Sequence, residues 1–204
     1  MAAQRGRPRG FDIEAALDQA VEVFWKNGFQ ATSLQALTSA MGLNKPSLYA
    51  AFGDKETLYL RALERYAAHH VAGHAAILAE EPDGYRAVEG FLRSLATMLT
   101  DASLPGGCFI VTGSADCGGA ATPEKVDAAL RAALQNSEAI LRERLLLAQR
   151  DGQLSAQASV DVLATLFSSI VGGLAVQAKS GASQDRLYQV IEAVMTVWPR
   201  DTAG

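Results

Sequence analysis

The sequence has little cysteine and histidine and no long uninterrupted apolar run. Its 204 residues include two cysteines and three histidines. Two cysteines are too few for a disulfide framework, and we expect both to be thiols in a reducing compartment. No segment offers the roughly 18 consecutive apolar residues that span a bilayer, and no apolar signal core follows the N-terminal arginines. The sequence therefore predicts a cytoplasmic protein without membrane contact.

Motifs of common catalytic classes are also missing. The sequence contains no GxSxG, GxxxxGK[ST] or GxGxxG, which mark serine hydrolases, nucleotide-cleaving loops and dinucleotide-binding turns. His70 and His74 are four residues apart and could ligate a metal from one helical face. Val71, however, stands where the HExxH metalloproteases need a glutamate. We predict no catalytic residue, no cofactor and no metal; a helical enzyme is the alternative from a different class.

The composition is globular and the charge is unevenly distributed. Hydrophobic residues make up 49% and charged residues 20% of the chain, which is typical of a folded protein. Residues 1–66 carry eight Lys/Arg against seven Asp/Glu, whereas the remainder carries ten against fifteen. Residues 1–10 contain Arg5, Arg7 and Arg9 and no acidic residue. A basic end on an acidic body can orient a protein toward phosphate.

The segment over residues 32–56 has the pattern of two short helices joined by a tight turn. Gly42 can end the first helix, and Asn44 can cap a second that directs Leu48 and Phe52 inward. This pattern predicts a helix-turn-helix, whose second helix can enter the DNA major groove. An ordinary helical hairpin is the alternative. Four groups that can contact phosphates or base edges favour DNA binding, namely Lys45, Ser47, Tyr49 and, at the helix exit, Lys55.

This segment resembles the DNA-binding domain of the TetR/AcrR-type bacterial transcriptional regulators. Their common pattern reads roughly T-T-h-x-x-h-A-x-x-x-G-h-S-x-G-x-h-Y-x-x-F-x-x-K-x-x-L, where h is hydrophobic. The chain departs from it at Pro46, where Gly is usual, and at Ala51, where an aromatic residue or His is frequent. Proline is tolerated in the first turn of a helix. The matching residues are Thr32, Ser33, Leu34, Leu37, Gly42, Leu43, Asn44, Leu48, Tyr49, Phe52, Lys55 and Leu58.

The resemblance implies an all-α fold in two parts. Residues 1–56 would hold an N-terminal arm and a three-helix helix-turn-helix domain, and residues 57–204 a helical domain for effector binding and dimerisation. Lys45, Pro46, Ser47 and Tyr49 would face the groove, with Lys55 near phosphate.

Two further parts of this predicted DNA surface have alternative interpretations. The hydroxyls of Thr32 and Ser33 sit at a helix end, where they can bind phosphate or simply cap the helix. Arg7 and Arg9 resemble arms that enter the minor groove, although a solubilising tail would have the same composition.

The rest of the chain is predicted to be helical, with an interruption at residues 82–84 that separates two packing units. We predict a short helix over residues 109–112, because an isolated strand there would lack a partner. Thr122 is predicted to cap a helix that has Pro123 at its first position. The last two helices are predicted from Ser155 to about Ser180 and from Ser183 to Trp198.

The last two helices are more apolar than one packing face requires. The resemblance implies that they form a four-helix bundle with the same pair from a second chain, and helix-turn-helix proteins commonly read paired half-sites as dimers. Packing within one chain is the alternative. The predicted interface residues are Phe167, Ile170, Leu174, Val190 and Val194. The predicted walls of an effector pocket, which could equally be core, are Phe91, Leu95, Met98, Phe109, Phe167 and Val171.

These features predict a homodimeric, ligand-responsive transcriptional regulator. The simplest form is a repressor that leaves an inverted-repeat operator in double-stranded DNA when a small organic effector binds. A metal- or redox-responsive regulator that uses His70 and His74, or Cys108, is the alternative. A thiol near a helix start can be reactive, whereas a buried thiol is inert, and both interpretations of Cys108 stay open.

Overall fold

The computed structural model describes residues 11–199, and this part of the chain consists of α-helices and connecting turns. The predicted contact residues Arg7 and Arg9 lie outside it. The all-α prediction is confirmed, including the short helix after Cys108. The helices are α1 (Ile13–Asn27), α2 (Leu34–Ala40), α3 (Lys45–Phe52), α4 (Lys55–Tyr66), α5 (Ala72–Glu80), α6 (Gly84–Leu99), α7 (Phe109–Ser114), α8 (Glu124–Arg150), α9 (Val160–Lys179) and α10 (Gln184–Met195).

Short polar side chains cap the starts of most helices. The Asp12 carboxylate accepts hydrogen bonds from the first-turn amides of α1. Asn44 caps α3 as predicted, and Asp54 caps α4. Each such cap stabilises a helix by about 1 kcal/mol. At the other end of α1, Gly28 adopts a φ of +75°, a conformation that glycine reaches without a steric penalty.

Two predicted helix starts were wrong. The residue at the N-cap of α8 is Pro123, not Thr122. The Thr122 hydroxyl instead donates to the Asp116 carbonyl at 2.7 Å and accepts from the side chain of Gln30 at 2.7 Å. Helix α9 begins at Val160 rather than near Ser155, with Ser159 as its cap. In the first case a tertiary contact outcompetes the local capping pattern.

The helices enclose two hydrophobic cores. The first combines α1–α4 with α7 and the beginning of α8, and the second combines α5, α6, α9 and α10 with the end of α8. A π-helical turn, Ala67–Val71, joins α4 to α5. The domain boundary between residues 56 and 57 remains a prediction, and α4 contributes five buried side chains to the first core.

Helix α9 is the single helix in the described range that is long and apolar enough to cross a membrane. Core helices of water-soluble proteins meet the same two conditions, so one such helix is weak evidence for a membrane span. One face of α9 packs into the second core through buried residues that include Leu163, Phe167 and Leu174.

Candidate nucleic-acid interface

The inner face of α3 anchors it in the first core. Leu48 and Phe52 are almost fully buried and pack with Leu37 of α2. Gly42, with a φ of +63°, allows the chain to reverse between the two helices. The prediction that Leu48 and Phe52 point inward is confirmed, and their burial leaves the opposite face of α3 free for a partner.

The outer face of α3 carries most of the predicted contact residues. Lys45 and Pro46 are exposed, and Tyr49 remains 46% exposed although its ring is large and apolar. Ser47 is half-buried, and its backbone N–H donates to the Asn44 side chain at 2.8 Å. A lysine, a tyrosine and a serine on one short helix can address phosphates and base edges together. Their contact with DNA stays a prediction.

The two hydroxyls before α2 occupy different environments. Ser33 is exposed and caps α2 by accepting a hydrogen bond from the Ala36 N–H at 3.0 Å. Thr32 is 1% exposed, and its hydroxyl donates to the Gly28 carbonyl at 2.7 Å. In this conformation the Thr32 hydroxyl lies inside the protein, so the structure supports a phosphate contact for Ser33 better than for Thr32.

Lys55 lies at the first position of α4, close to the end of α3. Its ammonium group sits 4.3 Å from the centre of the Phe29 ring, within the range of a cation–π contact. Burial lowers the pKa of Lys55, and the charge of Asp116 acts in the opposite direction. The ring therefore holds the lysine at the protein surface with part of its stem buried.

Lys55→Ala is expected to weaken binding to every DNA sequence. The slope of the logarithm of the DNA-binding constant against the logarithm of the salt concentration should fall by about one unit, which corresponds to one lost phosphate contact. The measurement is a salt titration of DNA affinity. Lys26→Ala is the control, because Lys26 is exposed on α1 and its carbonyl contacts Lys179 of the body. A slope that is the same in Lys55→Ala and wild type would remove Lys55 from the contact surface.

A second candidate site is an apolar cavity of about 160 Å³ among α4–α9. Four of the residues predicted for the effector pocket line this cavity, namely Phe91, Leu95, Met98 and Val171. Phe109 and Phe167 do not line it; both are fully buried and pack in the first and second core respectively. Sequence reasoning missed several other wall residues, including Tyr66, Ala133, Leu134, Ser137 and Ile140.

Cys108 forms part of the cavity wall beside a tyrosine. The Tyr66 hydroxyl donates to the Cys108 sulfur at 3.3 Å. Burial raises the pKa of Tyr66 well above its ordinary value, so the hydroxyl stays protonated and remains a donor. The thiol is half-buried, so the cavity brings one nucleophilic atom into an otherwise apolar wall.

The histidines make protein contacts that compete with metal binding. His74 is within hydrogen-bond distance of Ser94 at 2.7 Å and of the Met98 sulfur at 3.4 Å. The His70 ring packs on Trp25 and Tyr66. Burial lowers the pKa of both histidines. Within residues 11–199, no group of three or more His, Cys, Asp or Glu side chains is arranged to hold a metal ion.

An exposed apolar surface runs along α9 and α10. Of the predicted dimer residues, Val190 is 40% exposed, Ile170 and Val194 are half-buried, and Phe167 and Leu174 are buried within the chain. A groove between the two helices is lined by Ile170, Gly173, Leu174, Gln177, Arg186, Leu187 and Val190. The exposed side of these helices thus offers apolar surface that the chain itself does not cover.

Helix α3 has a buried inner face and a polar outer face, and it is joined to a helical body that contains an apolar cavity. This arrangement is typical of a helix-turn-helix DNA-binding protein. Comparison with known proteins assigns its family. Residues 16–62 match the family described as "Bacterial regulatory proteins, tetR family", and residues 84–194 match "Tetracyclin repressor-like, C-terminal domain". The chain belongs to the TetR family and is a DNA-binding transcriptional regulator, not an enzyme.

Individual relatives match over nearly the whole chain. The HTH-type transcriptional repressor ComR of Escherichia coli K12 is 36% identical over 200 residues, which cover 96% of this chain and 92% of ComR. The repressor BdcR of the same organism is 32% identical, over 94% of this chain and 93% of BdcR. A cysteine mutant of the regulator CifR, complexed with 26-bp double-strand operator DNA, has a TM-score of 0.89 and 39% identity, over 95% of this chain and 100% of the chain in that structure.

Proposed function

We propose that this regulator is a repressor that binds an inverted-repeat operator as a homodimer and is released by a small organic effector. The main support is the outer face of α3, where Lys45 and Tyr49 are exposed while the opposite face of the helix is buried. Support for repression comes from the similarity to ComR and BdcR, both named as repressors. The similarity to operator-bound CifR supports binding to double-stranded operator DNA.

The exposed surface of α9 and α10 supports the dimer. Val176 is 54% and Val190 is 40% exposed. Exposed apolar side chains that are grouped on one surface favour burial against a partner. An identical surface on a second copy would bury them symmetrically. Two recognition helices would then face two half-sites of an operator.

The apolar cavity supports a small, mainly apolar effector. Its walls are mostly apolar, and the lining residues that carry polar or thiol groups are Tyr66, Cys108, Asn136 and Ser137. Such a wall favours an uncharged organic ligand with few polar groups. An effector that binds better to a conformation with a different helix spacing would weaken operator binding.

The DNA-binding part of the proposal is tested by selection from genomic DNA. Purified protein is used to capture sheared genomic fragments, and enriched fragments are footprinted. We expect protection of an inverted repeat and a marked loss of affinity when one half-site is scrambled. Enrichment that is independent of sequence would contradict the operator model.

Apolar organic compounds that fill the cavity are expected to raise the melting temperature and to release operator DNA. A ligand at 100 times its dissociation constant stabilises the native state by about 2.7 kcal/mol. Ala133→Phe should abolish the shift, because Ala133 lines the cavity. Ala132→Phe is the matched control, since Ala132 is exposed and lies outside the wall. Compounds that stabilise both variants equally would place the ligand elsewhere.

A second candidate function is thiol-based sensing, which the position of Cys108 in the cavity wall favours. A screen that includes thiol oxidants and divalent metals separates a redox-responsive regulator from a metal-responsive one. Oxidant-driven release of DNA that Cys108→Ser abolishes, and Cys117→Ser does not, would identify a redox-responsive regulator. Stabilisation by zinc or copper that His70→Ala abolishes would identify a metal-responsive one.

A further inference from the structure

The turn between α1 and α2 is held by a carboxylate from a distant part of the chain. One oxygen of Asp116, just after α7, accepts hydrogen bonds from the backbone N–H groups of Phe29 and Gln30 at 3.0 and 3.1 Å. Bonds of this kind, with one ionised partner, are roughly twice as strong as neutral ones. We propose that Asp116 is a positioning residue for operator recognition: it holds the α1–α2 turn on the body and thereby orients α2 and α3.

The turn is shaped to accept this carboxylate. Gly28 has a positive φ, and a Cβ atom there would lie 3.1 Å from the same Asp116 oxygen. A side chain at this position would therefore crowd the carboxylate as well as strain the backbone. Glycine at residue 28 lets the two N–H groups that follow approach Asp116.

A second contact holds the same turn. The Gln30 side chain donates to the Thr122 hydroxyl, and that hydroxyl donates to the Asp116 carbonyl, both at 2.7 Å. Backbone and side chain of Gln30 are thus bound to one loop between α7 and α8. The loop is an anchor for the turn from which Ser33 starts α2.

Helix α7 in turn is fixed against α4 and faces the cavity. A Cβ atom on Gly113 would lie 2.4 Å from the Tyr59 hydroxyl oxygen, so the two helices are in close contact. The Asp116 N–H bonds to the Gly113 carbonyl at 2.9 Å. At the start of α7, Cys108, Ile110 and Val111 line the cavity. A displacement of α7 would therefore move the Asp116 carboxylate relative to the turn.

The inference extends the proposed function, and affinity for two DNA fragments tests it. The probes are the operator fragment found by genomic selection and a scrambled duplex of equal length. Asp116→Ala is expected to lower operator affinity about tenfold and to leave affinity for the scrambled duplex nearly unchanged, because the phosphate-contacting side chains are retained while the orientation of α2 and α3 is no longer fixed. Asp116→Asn should recover most of the preference, since its amide oxygen can accept the same two hydrogen bonds.

Asp101→Ala is the matched control. Asp101 also accepts two hydrogen bonds, but both come from Ser103 in its own loop, and we expect wild-type binding. Amide hydrogen exchange provides a readout independent of DNA: the N–H groups of Phe29 and Gln30 should lose protection in Asp116→Ala and keep it in Asp101→Ala.

Unchanged operator preference in Asp116→Ala would overturn the inference, and so would an equal loss of affinity for both duplexes or unchanged exchange at residues 29 and 30. If Asp116→Ala does not fold, Asp116→Asn decides: operator preference that follows exchange at the two amides, with both kept or both lost, supports the inference, and loss of only one of them contradicts it. A wild-type protein without operator preference contradicts the proposed function instead.

Discussion

Val190→Asp is expected to produce monomers and to lower operator affinity on the order of 100-fold. In a dimer the second half-site is bound at a high effective concentration, and losing this advantage typically costs a factor of about 100 to 10,000. The substitution suits the purpose because Val190 is 40% exposed, so the isolated chain has room for the carboxylate. In the proposed dimer that charge would be buried without a partner.

Light scattering and operator titration measure the two effects. Leu146→Asp on α8 is the matched control, since Leu146 is also 40% exposed and lies outside the proposed interface. It should remain dimeric and bind operator as the wild type does. A Val190→Asp protein that is still dimeric at micromolar concentration would exclude this surface, and a monomeric wild type would contradict the dimer itself.

The second large effect is expected at the outer face of α3. Lys45→Ala and Tyr49→Ala should each lower operator affinity about tenfold or more, because each removes a contact from both subunits of the proposed dimer. Both residues are exposed, so the melting temperature should change little. Removing a base contact should also relax the preference at one operator position, whereas removing a phosphate contact should weaken all sequences alike.

Titrations with operator variants distinguish these two roles, and Lys26→Ala again controls for the loss of a positive charge. Tyr49→Phe separates the hydroxyl from the ring: if the ring alone matters, its affinity equals that of the wild type. Full operator affinity in both alanine variants would show that α3 is not the recognition helix.

Local patterns in the sequence predicted the helix-turn-helix well. The cap at Asn44, the glycine turn at Gly42 and the inward direction of Leu48 and Phe52 all depend on residues within a few positions of one another. Such short-range signals do not require knowledge of the rest of the fold.

Features set by distant contacts were harder to predict. Phe109 and Phe167 were predicted either at the effector pocket or in the core, and tertiary packing places both in the cores and outside the cavity wall. The cap of α8 was misplaced because Thr122 bonds to Asp116 and Gln30 instead. The role proposed for Asp116 depends on contacts 86 and 87 residues apart, which no local pattern indicates.

The length of α8 has a consequence for how the molecule folds. This 27-residue helix places Val126 and Leu130 in the first core, and Leu141 and Leu145 in the second. Unfolding of α8 would therefore expose apolar surface of both cores. The cores should unfold cooperatively, and a fragment cut at the interruption near residue 82 would lack side chains from α7 and α8 that complete its interior. We therefore expect the DNA-binding portion not to fold on its own.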